Sequence, residues 1–315
     1  MIVSVALCTY NGAQHIREQL ESILDQTMKV DEIVVCDDGS TDNTLQIAED
    51  IEKETSANIR IYRNENNLGV CANFQKAIEL CKGEIIFLSD QDDLWLPDKV
   101  KEIVNYFDKN KDKHIVFSDG LLVNDDGNII GDKTLWATIG FTPRAQKSLT
   151  DGYGAELFSY ENRATGATMA VRRSFIAGNT FLDICNDTIL HDGALAMQGI
   201  ATEELGYIVK PLTKYRIHSK QAVGIGEALQ KPVSDDARDT SPLCEQWDSM
   251  PLPAPFKERI ALIRARHRMK HQPLGPFRML NNIYQYRHFY NNHWGSFLLF
   301  DLRQWAGNMV HRIIH

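Results

Sequence analysis

Glu84-Ile85-Ile86-Phe87-Leu88-Ser89-Asp90-Gln91-Asp92-Asp93-Leu94-Trp95 passes within two residues from an apolar run to three carboxylates. A short continuous apolar run of this kind reads as a strand buried on both faces, and such strands belong to parallel sheets covered by helices. Toward the N-terminus the pattern recurs. Strands are expected near 2–8, 31–36, 58–62 and 84–88, and helical periodicity places helices near 12–26, 41–54, 69–81 and 97–108. This βαβα rhythm predicts an α/β fold with a mostly parallel, Rossmann-type sheet flanked by helices. Ligands of such sheets sit at the carboxyl ends of the strands. Polar residues collect there: Cys8-Thr9-Tyr10-Asn11 after the first strand, Asp37-Asp38-Gly39-Ser40 after the second and Asp90-Gln91-Asp92-Asp93 after the fourth.

Three carboxylates in one turn repel one another unless a cation joins them. A hard divalent ion, Mn²⁺ or Mg²⁺, takes one or two carboxylates together with phosphate oxygens, which would relieve the repulsion. The alternative is an acidic turn that caps the helix beginning near Pro97. In the second acidic turn Ser40 or Thr41 is placed to cap the following helix. Capping leaves the two carboxylates Asp37 and Asp38 unexplained, and a carboxylate accepting from a base N–H with Tyr10 stacked on the ring would make a nucleoside pocket.

Taken together, Val5-Ala6-Leu7-Cys8-Thr9-Tyr10-Asn11, Ile33-Val34-Val35-Cys36-Asp37-Asp38-Gly39-Ser40-Thr41-Asp42, Asn67-Leu68-Gly69-Val70 with Asn73, and Phe87-Leu88-Ser89-Asp90-Gln91-Asp92-Asp93-Leu94-Trp95 resemble the family 2 glycosyltransferases of the GT-A fold. The D-Q-D-D-x-W form is similar to the bacterial branch often labelled rhamnosyltransferase. The resemblance implies an inverting, metal-dependent enzyme that moves a sugar from a UDP- or dTDP-linked donor to an acceptor hydroxyl in cell-surface polysaccharide synthesis. The acceptor would be a saccharide or a lipid-linked saccharide. It implies that Thr9, Tyr10, Asn11, Asp38, Asn67 and Asn73 surround the nucleotide, that Asp90 lies near ribose and metal, that Asp92 ligates the ion, and that Asp93 ligates or braces the loop.

The same resemblance places the catalytic base on a helix of the second half, where Ile189-Leu190-His191-Asp192-Gly193 offers Asp192, with His191 as its orienting neighbour or as the base itself. A solvated helix carboxylate is the plainer reading of Asp192. Lys214-Tyr215-Arg216-Ile217-His218 resembles the Y-R-x-H element, which would give His218 to the metal and the planar fork of Arg216 to the diphosphate. A non-catalytic nucleotide-sugar-binding or scaffold protein of the same pathway is the competing reading.

Downstream of the fourth strand the pattern predicts a strand at 114–118, a hairpin turned at Asn124-Asp125-Asp126-Gly127-Asn128, irregular segments to about 170, a helix near 187–200 and two short strands near 205–217. The expected organisation is a GT-A-like domain over 1–225, divided into a nucleotide-binding half to about 110 and an acceptor half, then a polar, Pro-rich linker or flap at 226–255 and a basic helical C-terminal region at 256–315. The glycine strings at 152–154 and 224–226 lack the third glycine and flanking elements of a dinucleotide site. Leu94 stands where a haloacid-dehalogenase-type phosphatase carries Thr or Val.

An apolar content of 43% in 315 residues fills a sizeable core, and 24% charged residues argue against disorder. The net charge of −8 is unevenly distributed: residues 256–315 hold 10 of the 34 Lys and Arg but only Glu258 and Asp301 among 42 acids. Such a tail meets a membrane surface, a polyanion or the acidic body itself. No nucleic-acid motif accompanies it, so nucleic acid is not an expected partner. Leu298, Leu302, Trp305, Met309 and Ile313 form one helical stripe, and Arg264, Arg266, Arg268, Lys270 and His271 a basic cluster. That pairing suits a helix lying on anionic lipid or one packed on protein. Six irregularly spaced cysteines without a C-x-x-C read as reduced core thiols. Without a basic leader or an apolar run of about 18 residues, the expected location is the cytoplasm, extending to peripheral contact with the inner face of the cytoplasmic membrane.

Overall fold

The computed structural model describes residues 1–158, 162–177, 185, 189–218, 247, 252–271 and 284. The chain divides into two compact units, Met1–Asp236 and Ala237–His315, with the boundary inside the polar stretch 226–255.

In the first unit the predicted alternation is realised. Strands β1 (Val3–Thr9), β2 (Glu32–Asp37), β3 (Ile59–Arg63) and β4 (Ile85–Ser89) alternate with helices α1 (Ile16–Leu24), α2 (Thr44–Glu54) and α3 (Val70–Leu80). The short β5 (Leu94–Trp95) and α4 (Lys99–Lys109) follow, then β6 (Ile115–Val123) and β7 (Ile129–Thr134). Short helices α5 (Leu135–Thr138), α6 (Pro143–Thr150) and α7 (Gly154–Phe158), a 3₁₀ turn (Gly166–Thr168), β8 (Met169–Arg172), α8 (Arg173–Ile176), α9 (His191–Ala201) and β9 (Leu205–Arg216) complete the described part.

Among the described residues nine strands form one sheet in the order β3-β2-β1-β4-β8-β6-β9-β5, with β7 paired to β6. Strands β1 to β4 are mutually parallel, and β6 and β9 run with them because β8 is antiparallel to both β4 and β6. The helices bury one apolar face each: Ile16, Leu20 and Ile23 of α1 and Val100, Ile103 and Phe107 of α4 join Val5, Leu7, Ile33, Val35, Ile85 and Phe87 of the sheet. Each such side chain contributes about 1.5–3 kcal/mol on burial. This packing fixes where the ends of β1, β2 and β4 stand.

Three local expectations change. The two short strands near 205–217 are one strand, β9, whose register against β6 shifts on either side of Asp119. Pro211 lies at that irregularity, where a missing N–H does no harm to the ladder. Neither Ser40 nor Thr41 caps the second helix, which begins later, at Thr44. Ser40 Oγ instead donates to Asp37 (2.5 Å) and accepts from Asn11 N (2.8 Å). The helix after β5 starts at Lys99, and Asp98 at its N-cap makes no side-chain cap bond.

Cys8, Cys36 and Cys81 are buried free thiols, Cys71 and Cys185 are half-buried, and Cys244 lies outside the described residues. In the second unit Ala254–His271 is helical, and Trp247 is fully buried and stacks on Phe256 with ring centroids 5.0 Å apart. The basic cluster 264–271 falls on this helix, whereas the apolar stripe from Leu298 to Ile313 lies outside the described residues. No described helix is long and apolar enough to cross a membrane.

Candidate active site

The carboxyl ends of β1 and β2 are tied together by side chains. Thr9 Oγ1 donates to Asp37 (3.0 Å), and Ser40 N to the other oxygen of the same carboxylate (2.9 Å). Asn11, in the left-handed region at φ 49°, accepts from Thr41 N (2.8 Å). Asp38 is buried and organises the turn before α3: its carboxylate accepts from Leu68 N (2.8 Å), Gly69 N (2.9 Å) and Asn64 Nδ2 (2.7 Å). Asn67 Nδ2 donates to the Asp38 carbonyl, and Asn73 bridges Asn64 and the Cys36 carbonyl. The Asp38 carboxylate therefore holds the Asn67-Leu68-Gly69 loop against the end of β2. Tyr10 stands 49% exposed at this end of the sheet, and Leu68 and Val70 are also exposed.

The acidic loop leaves β4 beside this cluster. Asp93 is buried and accepts from Arg216 N (2.9 Å); burial, then the charges of Asp92 and Asp90, hold its carboxyl well above the usual range. Asp90 keeps some exposure as a residue, but its carboxyl is enclosed by protein. Burial and then Asp92 push it up to about 7. Asp92 Oδ2 lies 3.0 Å from His218 Nε2, just beyond β9. The loop thus carries the concentrated negative potential that the sequence predicts, and carboxylate with imidazole is a donor set that Mn²⁺ accepts. Among the described residues no three His, Cys, Asp or Glu side chains form a closed metal shell. Two protein ligands with the remaining positions filled by phosphate oxygens fit this chemistry.

The side chain of Arg216 is fully buried. Its fork, expected on a diphosphate, is turned to the protein: Nε donates to the Asp92 carbonyl (2.7 Å), Nη2 to the Glu18 carboxylate (2.7 Å) and Nη1 to the carbonyls of Asn124 (3.3 Å) and Asp125. In this arrangement it joins the acidic loop, α1 and the β6–β7 turn.

On the other side, α9 opens with His191 and Asp192. Asp192 Oδ2 accepts from Gly166 N (3.0 Å) and Oδ1 from Gly193 N (2.6 Å). The charges of both residues act on the Asp90 carboxyl, so the fold brings this helix start to the acidic loop. His191 is buried, with its ring stacked on Phe74 at 3.8 Å and Nε2 so close to Gly166 that a Cβ there would collide with it. Burial opposes its protonation, but Cys71, Asp192 and Asp90 outweigh burial and raise its pKa. Asp192, half-buried, is the more accessible of the two.

Four contributors escape a reading of the sequence. Lys99 is fully buried beneath the loop, donating to the Ala167 carbonyl (2.6 Å) and Thr213 Oγ1 (2.9 Å) with Nζ 4.2 Å from the centre of the Trp95 ring. Burial lowers it to about 7 against the opposing pull of Asp93 and Asp90. Its signal was its place on the apolar face of α4, in phase with Val100, Ile103 and Phe107. His15 is buried 3.5 Å from Asp125 Oδ1, its ring 5.4 Å from that of His218. Glu18 and Gln91, which meet Arg216 and Tyr10, carry no signal of their own. Trp95 is buried against Phe87.

Residues 4–159 match the profile of Glycosyl transferase family 2. The chain is 29% identical over 225 residues to the chondroitin synthase of Pasteurella multocida, covering 66% of this chain and 22% of that protein. It is 29% identical over 233 residues to the dTDP-rhamnosyl transferase RfbG of Shigella flexneri, covering 69% of this chain and 73% of the relative. The chain thus spans about a fifth of the length of the synthase. Among solved structures, S. aureus TarS 1–349 in complex with UDP-GlcNAc superposes with a TM-score of 0.58 at 19% identity, covering 85% of this chain and 73% of that one, a likeness of fold. Residues 4–159 therefore form a family 2 glycosyltransferase domain, and the chain is built on the GT-A fold.

Proposed function

We propose that the chain works as a metal-dependent, inverting glycosyltransferase that passes a sugar from a UDP- or dTDP-linked donor to an acceptor hydroxyl in bacterial cell-surface polysaccharide synthesis. The observation that carries the reading is the meeting of the Asp92–His218 pair and the Asp192 helix start around one acidic loop. The relatives named as chondroitin synthase and dTDP-rhamnosyl transferase support the polysaccharide setting, and the second name supports a dTDP-linked donor.

In this mechanism Tyr10 stacks on the base, and Asp38 and Asn67 hold the loop beside it, with Thr9, Asn11 and Asn73 fixing the strand ends. Asp92 and His218 hold Mn²⁺ or Mg²⁺, with Asp90 next to ribose and ion. Bound there, the ion supplies the positive charge that stabilises the departing diphosphate. Asp93 and Arg216 keep the loop in place through their mutual bond, acting behind the ligands. Asp192, oriented by two backbone N–H groups, takes the proton from the acceptor hydroxyl. The basic C-terminal region holds the enzyme near a lipid-linked acceptor at the inner face of the cytoplasmic membrane.

The test is a thermal-shift screen of UDP- and dTDP-sugars with and without Mn²⁺, followed by transfer assays with the sugar that stabilises the protein. Stabilisation that requires Mn²⁺ supports the reading. No stabilisation by any nucleotide sugar overturns it.

A further inference from the structure

The pairing of β1 with β4 runs from Val3↔Ile85 to Leu7↔Ser89 and ends there. Two residues further, where Thr9 would face Gln91, the backbones no longer pair. A side chain continues the ladder instead: Gln91 Oε1 accepts from Tyr10 N (2.8 Å) and Gln91 Nε2 donates to the Tyr10 carbonyl (3.0 Å). A carboxamide offers the same donor and acceptor as a peptide group, so one side chain satisfies both backbone groups of one residue. Space is reserved for it. A Cβ at Gly12 would overlap the Gln91 carboxamide. The next residue of the same turn, Asn11, is fixed to the β2 turn by Ser40 and Thr41.

We propose that Gln91 is a positioning residue that sets the spacing between the base-binding loop at Tyr10 and the acidic loop at Asp90, Asp92 and Asp93, and thereby the affinity for a nucleoside diphosphate. The inference rests on the proposed donor site. Its physical content is geometric: the base and the diphosphate of one rigid ligand are held by two loops. Among the described residues the direct hydrogen bonds between those loops run through this carboxamide. Glutamate at 91 would accept from Tyr10 N but could not donate to its carbonyl, and it would add a fourth carboxylate to the loop. Glutamine alone closes both bonds without charge.

The experiment measures Mn²⁺-supported binding of UDP and dTDP, and binding of UMP and dTMP, by calorimetry on the full chain. Gln91→Met keeps the length of the side chain and loses both bonds. Affinity for the nucleoside diphosphate falls roughly tenfold, as expected for two lost hydrogen bonds, while the monophosphate, which meets the acidic loop only through Asp90 at the sugar and lacks the metal-bound diphosphate, loses less. In transfer assays the donor KM rises more than kcat falls. Gly12→Ala pushes the carboxamide away with Gln91 still present, and gives the same split between diphosphate and monophosphate. If Gln91→Met is too unstable to measure, Gly12→Ala carries the test. Unchanged diphosphate affinity in both variants, or equal loss for diphosphate and monophosphate, overturns the proposal. Failure of the wild type to bind either diphosphate with Mn²⁺ overturns the donor-site reading instead.

Discussion

Asp92 Oδ2 and His218 Nε2 stand 3.0 Å apart although 126 positions separate them in the chain, because β9 returns its end to the loop that leaves β4. If this pair is the protein's share of a metal shell, Asp92→Ala abolishes transfer, and His218→Ala raises the Mn²⁺ concentration for half-maximal rate by about tenfold or more. Excess chelator silences the wild type. Full activity of Asp92→Ala, or of the wild type in chelator, removes the ion from the mechanism.

Asp192 and His191 are adjacent, but their surroundings differ. His191 is sandwiched by Phe74 and Gly166, whereas Asp192 is half-buried and held by Gly166 N and Gly193 N. Asp192→Asn should lower turnover by about 10²–10⁴-fold with donor KM little changed, the range for a general base. His191→Gln should mainly lower the melting temperature. A near-normal rate in Asp192→Asn together with a collapse in His191→Gln would exchange the two roles.

The first half of the fold was legible because strands buried on both faces are continuous apolar runs, as in Ile33-Val34-Val35-Cys36, and their polar ends mark the ligand side. β9 was split in the reading because Lys210-Pro211 interrupts its pattern, and only the β6 register shows the interruption to be an irregularity within one strand. The place of Arg216 was legible and its partners were not. Glu18, Asn124 and Asp125 come to it from α1 and the β6–β7 turn, and nothing in local spacing encodes contacts across such separations.

At the opposite end of the sheet Glu32 is buried and accepts from Ser4 Oγ (2.5 Å), Lys82 N and Arg60 Nη2 (2.6 Å). Burial works against the charged carboxylate, but Ser4, Lys82 and Arg60 outweigh it and hold the pKa below the ordinary 4.5. A depressed folded pKa contributes stability that is complete above 4.5 and lost as pH falls through the lower folded value. Glu32→Gln should cost about 1–3 kcal/mol near neutral pH and flatten the acid limb of the stability curve. Urea titrations across that pH range check both. An unchanged acid limb would contradict the assignment.

The basic cluster at Arg264, Arg266, Arg268 and Lys270 gives the membrane reading a test that leaves the first unit intact. Replacing all four by Gln should reduce co-sedimentation with vesicles containing anionic lipid, and salt raised from about 0.05 to 0.5 M should reduce that of the wild type, since screening shortens the reach of surface charge. Transfer to a soluble acceptor should persist. Equal sedimentation of both proteins, or none by either, would assign the cluster to contacts with protein.

Lys99 offers the strongest stability test, because a fully buried ammonium must be matched on all sides. Its Nζ donates to the Ala167 carbonyl and to Thr213 Oγ1 and lies over the Trp95 ring, and its charge faces Asp93 and Asp90. Lys99→Met keeps the apolar stem but leaves the Ala167 carbonyl without this donor and removes a cation whose charge acts on two enclosed carboxyls. One such buried acceptor costs about 1–3 kcal/mol, so a loss of at least that size is expected in denaturant titrations. Ala167 sits in the 3₁₀ turn whose first residue, Gly166, holds Asp192, so transfer rate should fall further than UDP affinity in the folded fraction. Lys99→Arg should not restore stability, since a guanidinium is larger than the space an ammonium fills between Ala167, Thr213 and Trp95. A Lys99→Met protein as stable as the wild type would show that the acidic loop is supported without this cation.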